Sequence, residues 1–129
     1  MLVLPLIVIS SFDALVSADL SACVSEWNPQ MPVRVVPSLD DAATALADAP
    51  ALFALLVKGA ADLIEAAGLP ELVARKGGAL IWMSDIAADG MVDAAHDWAR
   101  IDMPFSAEQV RAALAAAAPV GGRPLFSSP

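Results

Sequence analysis

The chain has 129 residues, of which 58% are hydrophobic, with a net charge of −8 and one cysteine, Cys23. That length suits one domain with its own core. The basic residues (Arg34, Lys58, Arg75, Lys76, Arg100, Arg111 and Arg123) are scattered, so no stripe exists to hold nucleic-acid phosphates or an anionic membrane surface.

A lone cysteine rules out an internal disulfide and suits a reducing, cytoplasmic setting. No apolar run reaches the roughly 18 residues that a spanning helix needs. "MLVLPLIVI" contains Pro5, follows no basic residue and stops at Ser10, Ser11 and Asp13. It reads as a buried strand rather than a leader peptide.

The remaining elements follow in alternation. "FDALVSADLSACVSEWN" has helical spacing, with Leu15, Val16, Leu20, Cys23, Val24 and Trp27 on its apolar positions and Asn28–Pro29 as its stop. "PVRVVPS" is a second strand. Ser38 is an N-cap with Asp41 three residues on, opening the helix "LDDAATALADA". "ALFALLV" is the most uniformly apolar strand and is expected at the centre of a sheet.

"AADLIEAAGLPELVARKGG" is a helix expected to break at Gly68 and Pro70 and to close at Gly77 and Gly78. "ALIWMS" is the fourth strand, "GMVDAAHD" a short helix and "WARID" the fifth strand. Ser106 caps the last helix with Gln109 in the capping-box position, and Val110 and Leu114 anchor it. The alternation predicts an α/β fold over residues 1–118: a doubly wound (βα)5 domain with a five-stranded parallel sheet and helices on both faces. The segment 119–129, "PVGGRPLFSSP", has linker composition and is expected to be a flexible tail.

In such sheets, chemistry gathers at the carboxyl ends of the strands. Here those ends are Ser10–Ser11 with Asp13 beyond, Val57–Lys58, Ser84–Asp85, and Asp102–Met103 before Pro104. Together with the segment "MPFSAEQVRAAL", these ends make the chain resemble response-regulator receiver domains, the CheY-like members of the flavodoxin-like fold. The resemblance spans roughly residues 1–118, and its most specific part is "MPFSAEQVRAAL", where the family typically reads Lys-Pro-Phe.

The resemblance implies a role for each strand end. The family's Mg²⁺-binding acidic pair falls on Ser10 and Ser11. Its phospho-accepting aspartate falls on Val57 or Lys58. Its Thr or Ser falls on Ser84, its lysine on Met103, and its aromatic switch residue on Arg100. Serine hydroxyls are poor ligands for Mg²⁺. Neither Val57 nor Lys58 carries an acyl phosphate, and Met103 neutralises no phosphoryl oxygen. The implied protein is a degenerate, or pseudo-, receiver without aspartyl phosphorylation.

Asp13, Asp85 and Asp102, with Lys58 between them, have two readings. One is a rewired edge: a divalent-metal site or a standing Lys–Asp ion pair. The other, which carries more weight, is ordinary carboxylates at helix starts, where the helix dipole favours them.

His96 has no partner at zinc-ligand spacing. Cys23 reads as a small buried hydrophobe. Ser84, Asp85 and His96 are triad residue types without the Gly-x-Ser-x-Gly elbow. No phosphate-binding glycine motif is present. Trp82 is expected in the core, and Trp98 at a partly exposed strand start.

The resemblance implies an interface on the face formed by the short helix, the fifth strand and the last helix, where Met91, Val92, Trp98, Arg100 and Arg111 are the candidates. The expected function is a phosphorylation-independent interaction module of bacterial-type signalling, without enzymatic activity or cofactor. Its partner would be a sensor kinase, a regulator or a second copy, the last giving a homodimer through that face. The competing expectation is a small-molecule or divalent-metal sensor built on Asp13, Lys58, Asp85 and Asp102.

Overall fold

A computed structural model of the chain describes residues 5–84, 98–102 and 105–117. Along it run β1 (Leu6–Ser10), α1 (Ala14–Trp27), β2 (Val33–Val36), α2 (Leu39–Asp48), β3 (Leu52–Lys58), α3 (Ala61–Ala66), α4 (Leu69–Arg75), β4 (Ala79–Ser84), β5 (Ala99–Asp102) and α5 (Ala107–Ala117). The strands form one parallel sheet in the order β2-β1-β3-β4-β5. That is the flavodoxin-like order, in which the chain winds first to one side and then to the other.

The central strand β3 is apolar from Leu52 to Val57 because both its faces are covered there. From Ala54 onward its alternate residues divide between two cores, after a register irregularity at Phe53. Phe53 and Leu56 pack with α1 and α5, against Val16, Leu20, Val24, Val110 and Leu114. Leu55 and Val57 pack on the opposite face with α2, α3 and α4, against Leu46, Ile64, Leu69 and Val73. Each large side chain fully buried in this way contributes about 1.5–3 kcal/mol.

Local chemistry sets the element ends. Asp13 caps α1, its carboxylate accepting from Leu15 N at 2.9 Å and Val16 N at 3.4 Å. Ser38 Oγ accepts from Asp41 N at 3.1 Å and opens α2. At α5 both halves of the capping box form: Gln109 N donates to Ser106 Oγ at 3.2 Å, and Ser106 N donates to Gln109 Oε1 at 2.8 Å.

The helix expected to break at Gly68–Pro70 divides there into α3 and α4, with Gly68 at φ +75°. Gly78 serves a different need. A Cβ there would lie 2.7 Å from the Leu52 side chain, so only glycine lets β4 enter beside β3. Lys76 reaches back to the far end of α2, donating to Ala49 O at 2.8 Å and Ala47 O at 3.2 Å. It supplies the cation that α2 lacks in its own last turn.

One reading of the α1 spacing is corrected. Leu15 is 76% exposed, because the buried stripe runs Val16, Leu20, Cys23, Val24 and Leu15 precedes it by one step of the helix. Trp82 is buried as expected. Trp98 is half-buried and precedes β5, which begins at Ala99. The short helix expected at 90–97 and the tail at 119–129 lie outside the described residues.

Candidate functional site at the carboxyl ends of the strands

Register brings the strand ends into transverse rows. Val36, Ser10, Val57, Trp82 and Arg100 are successive partners across all five strands. In a parallel sheet such partners point to the same face. The next row runs Lys58, Met83, Ile101 on the opposite face, and Ser84 pairs with Asp102 beyond it. The two candidates for an acceptor position therefore point to opposite sides. Val57 is sealed in the core, whereas Lys58 is half-buried at the strand mouth.

Ser10 and Ser11 are both buried, and both tie loops together. Ser10 Oγ donates to Ser38 O at 3.3 Å, joining β1 to the start of α2. Ser11 Oγ accepts from Asp13 N at 3.1 Å and shapes the turn into α1. The pair supplies hydroxyls already engaged with backbone, not free carboxylates. A hard divalent cation prefers charged oxygen ligands.

Among the described residues, Asp13 and Asp102 do not converge. Asp13 follows β1 and is occupied as a helix cap. Asp102 ends β5 and pairs with Arg100, Nε to Oδ1 at 3.0 Å. β1 and β5 are three strand spacings apart, about 14 Å at roughly 4.8 Å per step. A single cation or one lysine cannot bridge that gap. Among the described residues no group of three or more His, Cys, Asp or Glu could hold a metal ion. Asp85, Met103 and His96 lie outside the described residues.

Beside Lys58, the loop into α3 is held from β4. Trp82 Nε1 donates to Gly59 O at 2.8 Å. The other side of Trp82 meets Trp98 edge-on, with ring centroids 5.7 Å apart and planes at 88°. Neither contact is legible in the sequence, since both depend on tertiary packing.

The candidate interface residues are only partly assembled. Trp98 shares a groove of about 280 Å³ with Leu80 and the alanines Ala113, Ala116 and Ala117 of α5. Arg100 is exposed on the outer strand. Arg111 is exposed on α5, whose Val110 and Leu114 pack in the core shared with α1. Met91 and Val92 lie outside the described residues. Cys23 lines a cleft with Asp19, Glu26 and Phe105. Burial, then the carboxylates of Glu26 and Asp19, push its thiol pKa up, with Arg111 opposing.

No protein-family model matches the chain, and no curated protein matches its sequence. Solved structures do match its shape. A response regulator receiver domain protein from Bacillus halodurans superposes with a TM-score of 0.66 at 14% identity, over 91% of this chain and 99% of that one. A response regulator receiver protein from Sinorhizobium medicae gives 0.65 at 14%, over 88% and 94%. The fold is that of a receiver domain.

A two-component transcriptional regulator from Clostridium phytofermentans gives 0.67 at 13% identity, over 88% of this chain and 92% of that one. Identities this low establish the receiver fold alone. Within the described residues no helix is long and apolar enough to cross a membrane.

Proposed function

We propose that this receiver-fold domain acts in two-component-type signalling as a protein-interaction module that works without aspartyl phosphorylation. The observation that carries the reading is the end of β3. Val57 is buried opposite Ser10, Lys58 follows it, and no carboxylate stands at either position. The hydroxyls of Ser10 and Ser11 are bonded to backbone groups, so the proposed metal pair is also replaced. Met103 at the position of the family's lysine fits the same reading.

The proposed mechanism is a fixed surface rather than a switched one. The partner is a sensor kinase, a regulator or a second copy of this chain. The surface is the β5 edge with α5 beside it, where Trp98 and Arg100 are the anchors. Because Arg100 at the switch position is pinned to Asp102, this edge has its own internal ion pair.

The test is incubation with acetyl phosphate and Mg²⁺, followed by intact mass and light scattering. The expected result is no phosphoryl adduct and an unchanged oligomeric state. An acid-stable, hydroxylamine-labile adduct on an aspartate would overturn the proposal.

A further inference from the structure

A groove of about 280 Å³ lies where the start of β5 meets the last turns of α5, at the pole opposite the carboxyl ends of the strands. Leu80 and Trp98 line it from the sheet, and Ala113, Ala116 and Ala117 from α5. The groove exists because alanine side chains end at Cβ. Three of them on one side of the helix leave the Trp98 indole half-buried rather than covered. No lining residue carries a charge, so the groove suits an apolar occupant.

The chain itself supplies one. α5 ends at Ala117, which is a lining residue, and the sequence runs on as "APVGGRPLFSSP". Pro119 lacks the N–H that a continuing helix needs, and Gly121–Gly122 is a reversal signal. Just beyond come Leu125 and Phe126, a large apolar pair set among proline, serine and arginine.

Leu125 is eight residues past Ala117, a tether that extends to about 26 Å. The α5 wall runs back from Ala117 only to Ala113, about 6 Å along the helix. The tether therefore reaches the whole groove with slack. A short linker of this kind holds its end at an effective concentration in about the millimolar range. A second copy or a free partner has to compete with that.

We propose that Leu125 and Phe126 fold back into this groove, so that the segment after α5 forms a strap over Trp98. Trp98 is one of the two anchors of the proposed partner surface, so a partner would bind there by displacing the strap. That consequence rests on the proposed function; the contact itself does not.

The test is nuclear Overhauser spectroscopy on the isotopically labelled whole chain. Cross-peaks are expected from the Leu125 methyls and the Phe126 ring to the Trp98 indole and the Ala113 and Ala117 methyls, unchanged on dilution. Leu125→Ser combined with Phe126→Ser should remove them and move the Trp98 indole N–H signal, while the signals of α2 stay in place. Ala116→Phe, at an exposed lining position, should fill the groove with its own ring and abolish the same cross-peaks, again with α2 unmoved.

Cross-peaks that fade on dilution would overturn the strap and assign the groove to a second copy. Their absence in the native chain, their survival in Ala116→Phe, or an unmoved Trp98 signal in the double variant would each overturn it outright. None of these readings involves phosphorylation, so the strap and the proposed function fail separately.

Discussion

The indole of Trp82 is hydrogen-bonded to the carbonyl of Gly59, 2.8 Å away, across the mouth of the central strands. A tryptophan on β4 thereby holds the loop that follows Lys58. Its edge-on contact with Trp98 extends the link toward β5. One side chain thus bridges the loop after β3 and the entry to the outer strand.

Trp82→Phe keeps an aromatic ring in the core and removes the donor. The Gly59 carbonyl loses its partner, at a cost of about 1–2 kcal/mol. Urea unfolding should show a lower midpoint with an unchanged m-value. Amide exchange should accelerate first at residues 59–61, since that loop loses its tether.

Lys76 supports α2 from a distance, through carbonyls 27 and 29 residues earlier in the chain. Lys76→Met keeps the alkyl stem and removes the charge and its hydrogen bonds. The expected loss is about 1 kcal/mol, smaller at high salt, because the helix-end interaction is screened. Thermal unfolding at low and high ionic strength would measure both the loss and its attenuation.

The Cys23 thiol has its pKa raised by burial first and then by Glu26 and Asp19. The folded chain therefore holds this proton more tightly than the unfolded chain does. The resulting stability is present in full below the unfolded thiol pKa, about 8.5, and fades as pH rises through the higher folded value. The melting temperature should fall on the alkaline side more steeply in the native chain than in Cys23→Ala. Alkylation by iodoacetamide at pH 8 should be slow until denaturant is added.

The two strand-end candidates respond differently to an acidic residue. Val57→Asp places a carboxyl in a sealed core and should cost about 3 kcal/mol or more. Lys58→Asp, at a half-buried mouth position, should change stability by no more than about 0.5 kcal/mol. With Mg²⁺ and acetyl phosphate, neither variant should acquire a phosphoryl group, because Ser10 and Ser11 still offer no carboxylate. Intact mass reads the outcome directly.

The architecture was legible because each strand announced its environment. The uniform apolar run Leu52–Val57 required cover on both faces, and the capping pattern Ser106–Gln109 marked the start of α5. The break at Gly68 was equally visible, since glycine there takes a left-handed φ and Pro70 follows. Leu15 was misread because spacing alone does not fix the angular edge of an amphipathic stripe.

The site was legible only as residue types at strand ends. That Asp13 caps a helix while Asp102 pairs with Arg100 depends on strand order and side-chain direction. Those choices separate carboxylates that the sequence had placed at one edge. The Trp82–Gly59 bond and the reach of Lys76 to α2 join residues more than twenty positions apart, beyond any local pattern.

The two outermost strands share a further property. β2 and β5 are each four residues long, and each carries an exposed arginine at its second position, Arg34 and Arg100. A short strand with a charge at its middle is a poor template for another chain's backbone. The sheet is thereby guarded on both flanks against strand addition and the aggregation that follows from it. A chain this rich in apolar side chains keeps its open hydrogen-bonding edges few, brief and charged.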